Sequence, residues 1–133
     1  MITIEQLEAH ASALHIPILE TTLDDGLKGY WDADERIIVL DSTLSRIDYK
    51  CTLAHELTHA SLDDASCTDQ HTSSKQERRC RELTARLLIS VLDYARAELM
   101  YDAHIALIAS ELDVTRQIVC DYQRFLARTQ WRG

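Results

Sequence analysis

Apolar residues recur every three or four positions over residues 3–15, which predicts an amphipathic helix at the start of the chain. Short apolar runs follow at 16–19, 27–31 and 36–40, separated by polar and turn-forming residues. Only four residues lie between the last two runs, which is typical of a β-hairpin. We therefore predict a small antiparallel sheet of three strands.

Helical spacing dominates the rest of the sequence. Ser45 and Asp48 resemble a capping box, which predicts a helix that begins there and carries its apolar stripe through Ala60. The polar residues 63–73 predict a loop. Further helices are predicted at 74–99, with Asp93 as the candidate for a break, at 102–112 and at 115–128. The whole pattern predicts an α+β fold in which the sheet packs on a helical bundle.

The 133 residues carry a formal net charge of −8. Most of it lies in residues 1–41, where nine Asp and Glu stand against two basic residues. Such a surface repels phosphate, so we expect no nucleic-acid partner. No apolar run reaches the roughly 18 residues of a membrane span, and no secretory signal is visible. Without C-x-x-C pairs, the cysteines predict reduced thiols in a cytoplasmic protein: Cys51, Cys67, Cys80 and Cys120.

The most informative segment is His55-Glu56-Leu57-Thr58-His59, an H-E-x-x-H motif inside a predicted helix. Residues four apart share a helix face, so His55 and His59 can bind one zinc ion. Glu56 would accept a proton from the zinc-bound water and pass it to the departing amine. The motif predicts a Zn²⁺-dependent peptidase with Glu56 as its catalytic residue. A chance pattern and a degenerate, metal-free peptidase fold are the competing interpretations.

A catalytic zinc needs a third protein ligand. The metzincin pattern H-E-x-x-H-x-x-G-x-x-H fails here, because Leu62 and Ala65 occupy its glycine and final histidine positions. His71 stays a loose candidate on the predicted loop. Glu77 and Glu82 both qualify by distance as glutamate ligands from a later helix.

The two glutamates differ in their predicted helical surroundings. Glu82 lies about 140° around the helix from Glu77 and falls between Arg78 and Arg86, as in a solvated ladder of charges. We predict Glu77 as the third ligand, and its alternative role is to close a capping box with Ser74. The stripe that places Glu77 on the core side contains Cys80, Thr84, Leu87, Leu88 and Val91.

The mechanism also needs a donor that stabilises the oxyanion and partners that orient the imidazoles. Tyr30, His71 and Tyr94 are the candidate donors. Sequence spacing does not identify the orienting partners.

These segments resemble the ImmA/IrrE family of metallopeptidases. The family's T-L-A-H-E-L-x-H-A segment matches residues 52–60, and its E-x-x-A-x-x-x-A-x-x-L-[LI]-x-P helix is similar to residues 77–90. The resemblance implies the same three zinc ligands, the same acid/base and a helix-turn-helix repressor as the protein substrate. The departures are Thr58, Cys80 and Ser90, where many members have Gly, a small aliphatic residue and Pro.

Residues 108–115 are similar to the core of a helix-turn-helix. The surrounding residues 102–133 hold four acids and four bases, and a net charge of zero does not favour DNA binding. We expect a packing or docking module, with residues 1–100 as the zinc metallopeptidase domain and 101–133 as a helical extension of it. The alternative function is a non-catalytic regulator or phage-type accessory protein that binds a repressor without cleaving it.

Overall fold

The computed structural model describes residues 1–64 and 70–130, and their side chains except at 70–73 and 130. Predictions that concern Ala65, Cys67, Trp131 and the His71 side chain lie outside the described residues. The elements, in chain order, are α1 (Ile4–Ala13), β1 (Ile18–Thr21), β2 (Gly29–Asp32), β3 (Ile37–Asp41), α2 (Arg46–Ser61), α3 (Gln70–Leu88), α4 (Val91–Tyr101), α5 (Ile105–Leu112) and α6 (Arg116–Gln130). The predicted α+β class is confirmed.

The three strands form one sheet in the order β1–β3–β2. The predicted hairpin is confirmed, because β2 pairs antiparallel with β3. The expectation of a fully antiparallel sheet is wrong, since β1 pairs parallel with β3. Residues 22–28 carry the chain past the position that β3 fills, and the backbone N–H of Leu23 donates to Asp41 at 2.9 Å. The chain reverses direction once between β1 and β2 and again between β2 and β3, so β3 runs parallel to β1. Because β3 lies in the middle of the sheet, β2 has an open edge on its other side.

Helix α2 begins where the capping pattern predicts, because the Ser45 hydroxyl accepts a hydrogen bond from the Asp48 backbone N–H at 3.1 Å. The predicted long helix is divided at Ile89 and Ser90 instead of near Asp93. Ser90 is the N-cap of α4 and accepts from the Asp93 N–H at 3.1 Å, so Asp93 lies in the first turn of a new helix. The predicted loop also ends early, since α3 begins at Gln70.

Helix α2 lies at the centre of the fold, between the sheet and the other helices. It packs against β2 and β3 on one side and against α1 and α3 on the other. Its apolar residues at the core are almost fully buried, which fixes its rotation and so the direction of the motif side chains. These residues are Cys51, Leu53, Ala54, Leu57 and Ala60.

The core-facing stripe predicted for α3 is only partly correct. Cys80, Thr84 and Leu88 are buried as expected. Leu87 and Val91 are exposed, because the helix ends at Leu88 and the chain changes direction before Val91.

The C-terminal helices pack on the rest of the fold. Helix α6 lies against both α3 and α5, and Tyr122 on α6 is fully buried. Asp113, at the end of α5, binds Arg46 at 2.7 Å and the buried Lys50 at 3.3 Å. These contacts connect the helix-turn-helix-like segment to the start of α2. Within the part of the chain that is described, no helix has both the length and the apolar character needed to cross a membrane.

Candidate metal centre

Helices α2 and α3 bring three predicted ligands together. One turn of α2 separates His55 from His59, and the centres of their rings are 4.9 Å apart. Glu77 approaches both rings from α3. Its Oε1 lies 2.5 Å from His55 Nε2, and its Oε2 lies 3.6 Å from His59 Nε2.

These separations are compatible with one shared metal ion. Nitrogen and oxygen ligands bound at about 2.0–2.2 Å to a tetrahedral zinc lie about 3.3–3.6 Å from each other. The second Glu77 oxygen lies 3.3 Å from His55 Nε2, and the 3.6 Å distance to His59 is close to the same range. The shorter 2.5 Å contact is a direct imidazole–carboxylate bond, which a cation between the two groups would replace.

His59 has the hydrogen-bonding pattern of a metal-ligating histidine. Its Nδ1 lies 2.9 Å from Asp64 Oδ2, so Nδ1–H donates to that carboxylate and Nε2 is the nitrogen left for a metal ion. His59 Nε2 is buried and has no hydrogen-bond partner among the described residues. A buried nitrogen without a partner is costly unless something binds it, and a metal ion fits this position.

Sequence analysis missed Asp64 as the partner that orients His59. The residue follows α2 directly, five positions after His59, and its backbone carbonyl accepts a hydrogen bond from the Trp31 indole N–H at 3.0 Å. That bond holds the end of α2 against β2. An acidic residue just beyond the motif helix was the only local signal.

We expect Asp64→Asn to weaken zinc binding by about 10–100-fold, the usual effect of removing an outer partner of a ligating histidine. The amide cannot supply the negative charge that favours the required His59 tautomer. Competition with a chromogenic chelator would measure the zinc affinity. The matched control is Asp63→Asn, because Asp63 is exposed and its ion-pair partner among the described residues is Arg36 at 3.6 Å. Equal affinities for the two variants would contradict this role.

Helix α3 also places the Cys80 thiol beside the same imidazoles. Cys80 Sγ lies 3.7 Å from His55 Nδ1 and 4.0 Å from His55 Nε2, and the thiol donates to the His55 carbonyl oxygen at 3.2 Å. One ligand atom each from His55, His59 and Cys80 form a group within 4.8 Å. Sequence analysis named Cys80 as a departure from the family pattern and gave it no ligand role, although its position three residues after Glu77 puts both on one helix face.

The electrostatics of the cluster favour positive charge. Burial opposes protonation of the histidines, but the Cys80 thiol and the Glu77 carboxylate outweigh it and raise the pKa of His55 to about 10 and that of His59 to about 12. Burial likewise opposes ionisation of Glu77 and Cys80, yet the adjacent imidazoles of His55 and His59 lower the pKa of both groups. A divalent cation would supply the same positive charge in place of two protons.

Glu56 lies beside these residues in a cavity of about 610 Å³. The cavity runs between the motif helix and strand β2, and Gly29, Tyr30 and Trp31 form part of its wall. Glu56 is 8% exposed, and burial raises its pKa against the opposing charges of the two imidazoles. The backbone N–H of Trp31 donates to its carboxylate.

The other candidate residues fall in different places. Of the three candidate oxyanion donors, Tyr30 lies in the cavity wall, whereas Tyr94 packs against Tyr122 in the core. Glu82 is directed away from the imidazoles and binds Arg128 on α6 at 2.5 Å. The capping-box alternative for Glu77 is wrong, because α3 begins at Gln70 and Ser74 already lies inside it.

Comparison with known proteins identifies one family. The family model of the IrrE N-terminal-like domain, Peptidase_M78, matches residues 11–121. No curated protein matches the chain. The matched range contains the three strands, the motif helix and α3, and so includes every residue of the candidate metal centre. The chain therefore belongs to the Peptidase_M78 family of IrrE N-terminal-like domains, and this membership implies a metallopeptidase-type function.

Proposed function

We propose that this chain is a zinc-dependent endopeptidase that hydrolyses peptide bonds in a specific protein substrate. His55, His59 and Glu77 hold the zinc ion, and Glu56 acts as the general base and acid. The observation that carries the proposal is the buried Nε2 of His59, which faces Glu77 without a hydrogen-bond partner among the described residues while Asp64 holds its Nδ1. Family membership supports a metallopeptidase, and the donor set of two imidazoles and a carboxylate suits zinc.

The zinc ion would supply a Lewis acid that polarises the scissile carbonyl and makes a water molecule more acidic. Glu56 takes the proton from the attacking water and gives it to the departing amine. Its burial raises the pKa of its carboxyl group, which brings that group closer to the working pH of a base that must later act as an acid. The hydrogen bond from the Trp31 N–H holds the carboxylate in place between these two transfers.

The open edge of the sheet provides a binding mode for the peptide. The Asp41 N–H donates to the Lys28 carbonyl, and alternation along the antiparallel ladder turns the backbone groups of Gly29 and the carbonyl of Trp31 toward the open edge, while the Trp31 N–H is held by Glu56. An extended peptide that adds to β2 would cross the cavity in front of Glu56. Backbone hydrogen bonds would then give affinity without fixing the substrate sequence.

We expect Tyr30→Phe to lower kcat by about 10²-fold with little change in KM, because the hydroxyl would donate to the oxyanion that forms in the transition state. Steady-state kinetics on the cleaved substrate would separate the two constants. The control is Tyr101→Phe, on α4 and away from the cavity, which should keep the wild-type kcat and KM. An unchanged kcat for Tyr30→Phe would assign the oxyanion to another donor.

The nature of the substrate is a further part of the proposal. The resemblance to ImmA/IrrE proteins makes a helix-turn-helix repressor the first candidate. Residues 101–133 would serve as a helical extension of the catalytic domain 1–100, since α6 packs on the ligand-bearing helix α3. The free cysteines Cys51, Cys80 and Cys120 fit the reducing conditions of the cytoplasm, where such a repressor would be found.

Metal content and cleavage test the proposal together. The purified protein should contain about one zinc per chain, as a site with three protein ligands requires. Mass spectrometry of new protein N-termini, after expression of the chain in its native host, would identify the cleaved protein. Removal of the metal with a chelator should stop cleavage, and zinc should restore it. A chain that binds its partner equally well with and without metal would instead support the non-catalytic alternative.

A further inference from the structure

We infer that Cys80 is a fourth protein ligand of the metal centre, so that the resting site holds its cation with two imidazoles, one carboxylate and one thiolate. This inference rests on the proposed metal binding. It adds a donor to the three that the motif and the later glutamate provide. It also concerns one of the three positions at which this chain departs from the ImmA/IrrE pattern, because Cys80 stands where many members have a small aliphatic residue.

The position of the thiol supports the inference. Cys80 stands one turn after Glu77 on α3, so both side chains reach the imidazole pair from the same helix face. Sulfur bound at about 2.3 Å and nitrogen bound at about 2.0–2.1 Å to a tetrahedral zinc lie about 3.6 Å apart. Cys80 Sγ lies 4.0 Å from His55 Nε2, the ring nitrogen that faces Glu77, so a small movement of the side chains would bring the sulfur to this separation.

His59 provides an independent indication of a ligand at this point. Its ring is 1% exposed, and its Nε2 has no hydrogen-bond partner among the described residues. His59 belongs to the same group as Cys80 and His55, in which one ligand atom from each residue lies within 4.8 Å of the others. The thiol itself is fully buried.

Metal binding would replace the proton of the Cys80 thiol with the metal ion. When the ion binds, the Cys80 S–H bond breaks, the proton leaves to solvent and the sulfur–metal bond forms. The hydrogen bond from the thiol to the His55 carbonyl is lost in the same step. Four protein ligands are typical of a structural zinc site, whereas a catalytic site keeps one position open. Hydrolysis would therefore require the sulfur to leave or the coordination to expand to five.

Cobalt(II) spectroscopy tests the ligand directly. The full chain loaded with about one equivalent of Co(II) should show an intense sulfur-to-cobalt charge-transfer band in the near ultraviolet. Cys80→Ala should remove this band and still bind cobalt through the remaining ligands, with zinc affinity lowered about 10-fold or more. Alanine restores the small side chain typical of the family and should fit the buried position. Circular dichroism would confirm that the variant folds.

The other cysteines provide matched controls. Cys51→Ser, Cys67→Ser and Cys120→Ser should each keep the band. A cobalt-loaded wild-type chain without the band would show that Cys80 only donates to the His55 carbonyl, and the inference would be overturned while the proposed peptidase site stands. Loss of the band in Cys67→Ser alone would show that Cys67 supplies the sulfur ligand, and the inference about Cys80 would be overturned. Failure of the wild-type chain to bind cobalt or zinc would overturn both the inference and the proposed function.

Discussion

Glu56→Gln should lose about 10²–10⁴-fold in kcat and keep its metal, because the amide matches the carboxylate in shape but cannot accept the proton. The side chain is 8% exposed and accepts the Trp31 N–H, so the amide oxygen can preserve that hydrogen bond. A neutral group also removes the unfavourable burial of charge, so we expect no loss of stability. The measurements are the rate of cleavage, the zinc content and the midpoint of thermal unfolding.

The control for Glu56 is Glu111→Gln, which removes the same charge from an exposed position on α5. This variant should cleave the substrate at the wild-type rate. Cleavage at an undiminished rate by Glu56→Gln would exclude Glu56 as the acid/base. In that case a binding role without catalysis would become the better account of the chain.

Glu77→Ala should have the second large effect, on metal affinity. The substitution removes a proposed ligand, so the loss should exceed the roughly 10–100-fold that removal of an outer partner produces. It also leaves His55 without the carboxylate that it contacts at 2.5 Å. Isothermal titration with zinc and the zinc content after dialysis would measure the change.

Glu82→Ala is a close match for this substitution, five residues further along the same helix. Among the described residues it removes the ion pair with Arg128, and a partly exposed pair of this kind contributes about 0–1 kcal/mol to folding stability. We expect zinc affinity to stay at the wild-type value. If Glu82→Ala lost zinc and Glu77→Ala kept it, the choice between the two glutamates would be reversed.

The candidate site residues that sequence selected, and that the structure brings together, were found from short-range geometry. His55, Glu56 and His59 lie within one turn of a helix whose start is marked by a capping residue. Sequence analysis preferred Glu77 to Glu82 because residues five apart point about 140° away from each other around a helix. The apolar residues spaced along the helix then indicate which of the two glutamates faces the core. Local periodicity is sufficient for both arguments, and in the structure Cys80, Thr84 and Leu88 of the stripe predicted for α3 are buried.

The features that sequence missed depend on contacts between distant segments. The parallel pairing of β1 with β3 is decided by the path of residues 22–28, which no alternation of polar and apolar residues reveals. Asp64 meets His59 only because the end of α2 is held against Trp31. The break before α4 was different, since Ser90 and Asp93 carried a local capping signal that was available to sequence reasoning.

Trp31 connects the place where a peptide would bind to the residue that holds the metal. Its backbone N–H reaches Glu56, and its indole N–H reaches the carbonyl of Asp64, which in turn orients His59. A peptide that shifts β2 would thus change the affinity of the site for the metal ion. By thermodynamic reciprocity, the bound ion would change the affinity for the peptide by the same factor. Scarcity of zinc would then weaken capture of the substrate as well as its hydrolysis.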